Sequence, residues 1–406
     1  MKKYIIVAAA LVMAALSVNA KKYENVDTKY CRSSIYSVLL NHTEQKFGKE
    51  IKEQFLNIPT PDQYYNHDLN VKVINVSNNS DQFLDSIKTF IEANKIASRM
   101  VAKWFDRNQL TGECSMDMVK ERGIYNASEL DKELAARSPR GVAMLADAGE
   151  QLIGKSFLLV NEIKYGDKAK TSAAIGTGLK IFGAIAGSFI PGMSALGDIM
   201  DNVGDMVSTI KGFKVKIKTH LFQLKWNDDI ATIFYRDCYA SEPDPDKRKA
   251  FEDMRGQFEL EYVGCVESAG STTSFMGINE EEPLLMVRKA CQRAIDDNVA
   301  DLQTKYDQFR VSAPVVESDG KIVMAQIGMK EGVKADNKYE VLEAEEKDGR
   351  IIYKRVAVVK AVANKIWDNR FMAVEEMAYG ADFGATTFEK ISGGDVMKGH
   401  LLRRTE

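Results

Sequence analysis

Residues 156–165, SFLLVNEIKY, constrain the fold more than any other stretch of this chain. In an extended segment Phe157, Leu159 and Ile163 fall on one face, and Leu158 and Val160 on the other. A strand that is apolar on both faces belongs in the middle of a sheet with a layer packed on each side. The chain is therefore read as layered, with helices over a mixed sheet.

The rest of the pattern fits that reading. LNVKVINVS, residues 69–77, alternates apolar and polar residues and predicts a strand. Asp81 to Phe105 predicts helix, broken near Asn94, with Ile96, Ala97, Met100, Val101, Trp104 and Phe105 on its apolar stripe. NASELDKELAAR predicts another helix, with Asn126 as N-cap and Glu129 at the capping-box position. FKVKIKTHLFQLKW, residues 213–226, sets Phe213, Val215, Ile217 and Leu221 against Lys214, Lys216 and Lys218. Its phase then changes to Phe222, Leu224 and Trp226, which predicts a β-bulge near Leu221. FELEYVGCVES carries Glu259 and Glu261 on its polar face, so the lysine-faced and glutamate-faced strands are expected to be neighbours. Residues 283–309 predict a long helix. Leu284, Val287, Cys291, Ile295, Val299, Leu302, Tyr306 and Phe309 recur three or four apart on it.

After Ala313-Pro314 short β-like runs take over, with Lys347-Asp348-Gly349 as a hairpin turn. The fold class expected is α+β or α/β: a mixed sheet with packed helices, followed by a small C-terminal β-barrel. The expected division is 1–20, 21–312 and 313–406.

The stretch GEQLIGKS, residues 149–156, matches G-x-x-x-x-G-K-S and raises the question of a nucleotide site. A phosphate loop leaves a strand and opens a helix, which aims backbone N–H groups and the helix dipole at the phosphates. Here a helical pattern, begun by Ser138 and Pro139, comes first and the strand follows. Gly154 is expected as a helix C-cap with positive φ, and Lys155 as a cation favoured at that helix end. No nucleotide is expected on Gly149, Gly154, Lys155 and Ser156.

Compartment points the same way. MKKYIIVAAALVMAALSVNA has Lys2 and Lys3 as a basic start, an apolar run, and Val18-Asn19-Ala20 as a cleavage-site pattern. The expectation is a signal peptide over 1–20 and a periplasmic or outer-membrane-associated location rather than a cytoplasmic one. Nucleoside triphosphate is scarce there. The 406 residues carry a formal charge of −3, and losing Lys2 and Lys3 makes it −5. A weakly acidic chain is a poor partner for nucleic acid.

Five cysteines, Cys31, Cys114, Cys238, Cys265 and Cys291, are too scattered for a disulfide scaffold or a C-x-x-C site. Cys291 lies on the helical stripe and is read as a buried thiol. That leaves Cys238 and Cys265 as the favoured disulfide, though spacing does not fix connectivity. His42, His67, His220 and His400 are widely separated, and neither H-E-x-x-H nor G-x-S-x-G occurs. No catalytic, cofactor or metal residue is therefore nominated.

Residues 172–210 stand apart. Gly183 and Gly187 form a G-x-x-x-G pair, and no charge falls between Ile181 and Leu196. Pro191 interrupts that run, which is shorter than a spanning helix needs. A packed helical hairpin is expected, with a protein contact surface and a membrane-inserting hairpin as alternatives.

IGMKEGVKADNKYEV, residues 327–341, followed by a hairpin and VAVVKAVAN, resembles the small SH3-like β-barrel that ends certain flagellar basal-body ring proteins. Asp336-Asn337 stands where that pattern has Gly-Asp, and an Asn tolerant of the left-handed region is expected to accommodate the change. LNVKVINVS, IASRMVAKWF, ADAGEQLIGKSFLLVNEIKY and FKVKIKTHLFQLKW resemble the α/β domain of the curli-secretion-channel family. The chain also resembles secreted proteins of Bacteroides-type bacteria, in which Asp85-Ser86-Ile87 fits a short O-glycosylation sequon at Ser86. These resemblances imply a non-catalytic envelope scaffold or assembly protein that binds envelope proteins or copies of itself. The alternatives are a secreted hydrolase with an unrecognised site and a pore-type protein.

Overall fold

SFLLVNEIKY does lie inside a sheet covered on both faces. The computed structural model describes residues 33–76, 83–125, 149–166, 213–271, 283–347, 350–373 and 383–405. The expected signal peptide, the helices begun at Asn126 and Ser138-Pro139, the Gly-rich segment 172–210 and the Asp348-Gly349 turn lie outside those residues. The chain is a mixed α+β protein in two compact units, dividing between Val311 and Ser312.

The first unit holds β1 (Ser33–His42), α1 (Gly48–Leu56), β2 (Tyr64–Asn66), β3 (Val73–Val76), α2 (Phe83–Ala93), α3 (Ile96–Trp104) and α4 (Asp117–Tyr125). These are followed by β4 (Ser156–Tyr165), β5 (Lys214–Leu224), α5 (Asp228–Ile233), α6 (Pro245–Met254), β6 (Leu260–Ser271) and α7 (Pro283–Lys305). The strands run in the order β2-β1-β4-β5-β6, with β3 also pairing β1. Strands β2, β3 and β4 are parallel to β1, whereas β5 and β6 continue antiparallel from β4.

Alternation along β4 sorts its residues into two cores. Phe157, Leu159 and Ile163 pack with Ile35 and Leu39 of β1, with Ile51 and Phe55 of α1, and with Val287, Cys291, Ile295 and Leu302 of α7. Leu158 and Val160 pack with Tyr36, Val38 and Leu40, and with Met100, Val101 and Trp104 of α3, Phe234 beyond α5 and Phe251 of α6. Val287, Cys291, Ile295, Val299 and Leu302 of the expected α7 stripe are in this core, but the helix ends at Lys305, so Tyr306 and Phe309 follow it in a separate short turn, and Leu284 stays outside the core. The break near Asn94 is real and turns on Lys95, which adopts a left-handed φ of 50°.

A phase change at Leu221 has a different cause from the one expected. Leu221 faces the first core and Phe222 and Leu224 the second, so β5 alternates regularly. What changes is which face is covered. A bulge does occur at Leu221/Phe222, but the extra residue is Val263 of β6. The lysine-faced and glutamate-faced strands do pair. Lys216 meets Glu267 at 2.7 Å and Lys225 meets Glu259 at 3.1 Å. Asp228 and Asp229 open a helix capped by Asn227. Asp244 is likewise an N-cap with Pro245 behind it.

In the second unit β7 (Ala313–Ser318), β8 (Ile322–Ala325), β9 (Lys338–Lys347), β10 (Arg350–Ala361), β11 (Thr386–Gly393) and β12 (Leu401–Arg404) close a barrel in the order β10-β11-β8-β7-β12-β9. Val315, Val323, Val341, Val359, Phe388 and Leu402 fill it. In the turn before β9, Asp336 rather than Asn337 takes the left-handed conformation, at φ 69°. The Asn337 side-chain carbonyl instead accepts from the Lys334 N–H at 2.8 Å. Glu331 is half-buried and accepts from the Gly328 N–H and from Asn369 Nδ2, both at 2.7 Å. Burial nevertheless raises its pKa.

Candidate functional site

Glu162 is the one acidic residue on β4. Alternation puts it on the same face as Leu158 and Val160, opposite Lys218 of β5 and Leu40 of β1. A carboxylate buried there needs charged donors, and its own strand and the next supply them. His42 Nε2 lies 2.9 Å from Glu162 Oε1, and Lys164 Nζ lies 2.7 Å from the same oxygen. Facing a carboxylate at that distance, Nε2 carries its proton. Burial alone would raise the Glu162 pKa. The hydrogen bonds from His42 and Lys164 outweigh burial and hold it at about 2.

One strand further along the same face, His220 sits opposite Cys265 and its Nδ1 is 3.3 Å from the Tyr262 hydroxyl. Burial and then the Lys218 charge lower its pKa to about 4. The result is a shelf of His42, Glu162, Lys164 and His220 across β1, β4 and β5, with Tyr262 of β6 at its end.

A second polar niche lies toward the beginnings of β1 and β4. Arg122 of α4 is buried, with its guanidinium 4.4 Å from the Trp104 ring and 4.7 Å from that of Tyr65. It donates to Ser34 Oγ at 2.7 Å and approaches His67 Nδ1 at 3.4 Å. His67 Nε2 bonds the Met100 carbonyl at 2.9 Å, so Nε2 is the protonated nitrogen of a neutral ring. Burial first, and then Arg122, lower the His67 pKa to about 3.

The four residues of the G-x-x-x-x-G-K-S pattern have structural positions here. Residues 149–153 are helical and Ser156 starts β4, so the order is helix to strand. A Cβ on Gly149 would meet the Val119 carbonyl of α4 at 2.0 Å. Gly154 does not take a positive φ, which corrects the C-cap expectation. Its need is space: a Cβ would stand 3.2 Å from the Trp226 carbonyl. The Lys155 N–H closes the helix on the Leu152 carbonyl at 3.0 Å, and the Lys155 carbonyl accepts from the Ser34 N–H at 3.0 Å. Ser156 Oγ accepts from Trp104 Nε1 at 2.7 Å.

Cys238 and Cys265 are free thiols in the structure. Cys238 is buried in the core under α3 and α6, whereas Cys265 is half-buried on the terminal strand β6. Ser86 is exposed in α2, and Ile87 beside it is buried. Among the described residues, no group of three or more His, Cys, Asp and Glu side chains is placed to hold a metal ion, and no helix is long and apolar enough to cross a membrane.

Sequence spacing could not show that His42 and Glu162, 120 positions apart, are joined. The available signal was the charge of Glu162 itself, on a strand otherwise read as covered on both sides. The chain matches no protein-family model and no curated protein sequence.

Proposed function

We propose that this chain is a non-catalytic cell-envelope protein, periplasmic or outer-membrane-associated, that acts as a scaffold or assembly factor by binding other proteins. The observation that carries the reading is the sheet edge at β6. Among the described residues, this strand of 12 residues is the last in its sheet. A long terminal strand is the kind of edge that a partner strand extends, with main-chain hydrogen bonds supplying the affinity. The Val263 bulge twists one part of that edge. Lys305 Nζ and the Tyr306 hydroxyl bond the Cys265 carbonyl at 3.1 and 3.4 Å. The segment from Val266 to Ser271 is the part left for docking. The polar shelf supports the same reading, because Glu162 is held by His42 and Lys164 in tying β1 to β4.

The test is photo-crosslinking in intact cells followed by fractionation. A crosslinking residue at Glu267 or Ser271 should trap a protein partner in the envelope fraction, and one at Leu110 should not. Recovery as a lone soluble monomer with hydrolase activity would sink the proposal. The His42–Glu162 pair favours the hydrolase as second reading, since a carboxylate that orients an imidazole is half of a proton-transfer site. That reading requires the activity to vanish in His42→Asn.

A further inference from the structure

Cys114 and Cys238 lie in one apolar cluster and both are buried. The backbone brings their segments together. The Cys114 N–H donates to the carbonyl of Ala240, two residues beyond Cys238, at 2.7 Å. Cys238 closes a π-helical turn, Phe234–Cys238, that continues α5. Turns of this type are uncommon and often accompany functional positions. Cys238 Sγ rests 3.3 Å from Met254 Sδ, and Cys114 Sγ lies 3.5 Å from the Gly112 carbonyl. Arg107 is held beside both, its guanidinium 4.2 Å from the Phe251 ring and bonded to the Arg248 carbonyl at 3.2 Å.

The two sulfurs also share an electrostatic environment. Burial raises both thiols, Cys238 to about 11, and the Arg107 charge pulls both back. A charge on Cys114 pushes Cys238 up further, so each ionisation is felt by the other. Cys291 has no such neighbourhood: burial alone lifts it to about 12 in the opposite core. Cys265 belongs to the terminal strand, bonded through its carbonyl to Lys305 and Tyr306.

We propose that Cys114 and Cys238, rather than Cys238 and Cys265, are the redox pair of this protein, closing to a disulfide by exchange with an external low-molecular-weight or protein disulfide. The Cys114 thiolate attacks one sulfur of the external disulfide and expels the other as a thiolate. Cys238, deprotonated in turn, attacks Cys114 Sγ and expels the second external sulfur. The two protein thiols are oxidised, the external disulfide is reduced to two thiols, and the two cysteine protons end on those leaving groups. The closed bond ties the loop after α3 to the end of the π-helical turn and lowers the entropy of the unfolded chain.

The experiment uses the full chain equilibrated with oxidised and reduced glutathione, quenched in acid, alkylated in denaturant and mapped by mass spectrometry. A cross-linked peptide containing Cys114 and Cys238 is expected under oxidising conditions. It should be lost on adding dithiothreitol, together with a fall of several degrees in the thermal midpoint. In Cys114→Ser that dithiothreitol-dependent fall should vanish. Full alkylation of both cysteines after oxidation, or a peptide joining Cys238 to Cys265, overturns the assignment. The mapping is done on the wild-type chain, so failure of a variant to fold leaves the result decisive. Because the oxidant is supplied, the result is independent of where the protein resides.

Discussion

The two faces of the sheet bury polar groups in opposite chemical forms. Under α1 and α7 the groups bonded across the sheet are amides and hydroxyls, while α7 also buries Lys289 and Asp296. Asn161 Nδ2 donates to Ser37 Oγ at 2.9 Å, Thr219 Oγ1 donates to Asn161 Oδ1 at 2.8 Å, and Asn298 Nδ2 of α7 donates to the Ile217 carbonyl at 3.1 Å. Under α3, α4 and α6 they are ionisable: Glu162 with His42 and Lys164, His67 with Arg122, and His220. A neutral network fixes register without responding to pH. An ionisable one makes stability depend on keeping each proton where it is. The same strands carry both, so the ionisable groups of the strands themselves are concentrated on one side of the sheet.

The largest effect is expected at the α7 seat. A Cβ at Gly270 would meet the Ala290 carbonyl at 2.1 Å. Gly270→Val should cost about 3 kcal/mol in urea unfolding and leave the pH profile parallel to wild type. A midpoint unchanged from wild type would show that α7 is not seated there.

Glu162→Gln should come next. Removing the charge leaves His42 buried without its carboxylate, at a cost of about 2–3 kcal/mol at pH 7. The folded pKa of Glu162 lies below its ordinary value, so the stability it contributes is present above about 4.5 and lost as pH falls toward about 2. The Gln variant should lack that component of the acid limb; an identical limb in both proteins would count against the assignment.

Asn298→Leu should cost about 1–2 kcal/mol through loss of the bonds from Asn298 Nδ2 to the Ile217 carbonyl and to Thr219 Oγ1, equally at pH 7 and pH 5. A pH-dependent cost would break the contrast between the faces. Smallest are the changes in the G-x-x-x-x-G-K-S stretch. Gly154→Val should lose about 1 kcal/mol by crowding the Trp226 carbonyl, and Lys155→Ala less than about 0.5 kcal/mol. Thermal scans of the two variants side by side check the order. Loss of saturable Mg-ATP binding in Lys155→Ala would instead require a nucleotide site.

Periodicity made the architecture legible, because each face of β4, β5 and α7 has its own apolar set. The Val263 bulge was located through β5 but assigned to the wrong strand, since a phase change in one sequence does not say which partner carries the extra residue. The candidate site was less legible still. His42, Glu162 and His220 meet only through the β1-β4-β5 pairing, and no local spacing encodes which strands are neighbours. The proposed pairing of Cys114 with Cys238 was equally illegible, since the backbone bond from Cys114 to Ala240 is tertiary.

The contrast between the faces is tested most directly by the unfolding free energy of wild type, His67→Phe and Asn298→Leu from pH 7 to pH 4. His67 is held neutral, with a folded pKa of about 3 against an ordinary 6.5. Over that window the unfolded chain takes up a proton that the folded chain refuses. Stability should therefore be full above pH 6.5 and fall with pH by about 1.4 kcal/mol per unit for this residue, with His220 adding in the same direction. Wild type and Asn298→Leu should fall in parallel, and His67→Phe should fall less steeply by about that slope. Equal slopes in wild type and His67→Phe, or a flat wild-type profile, would contradict the account.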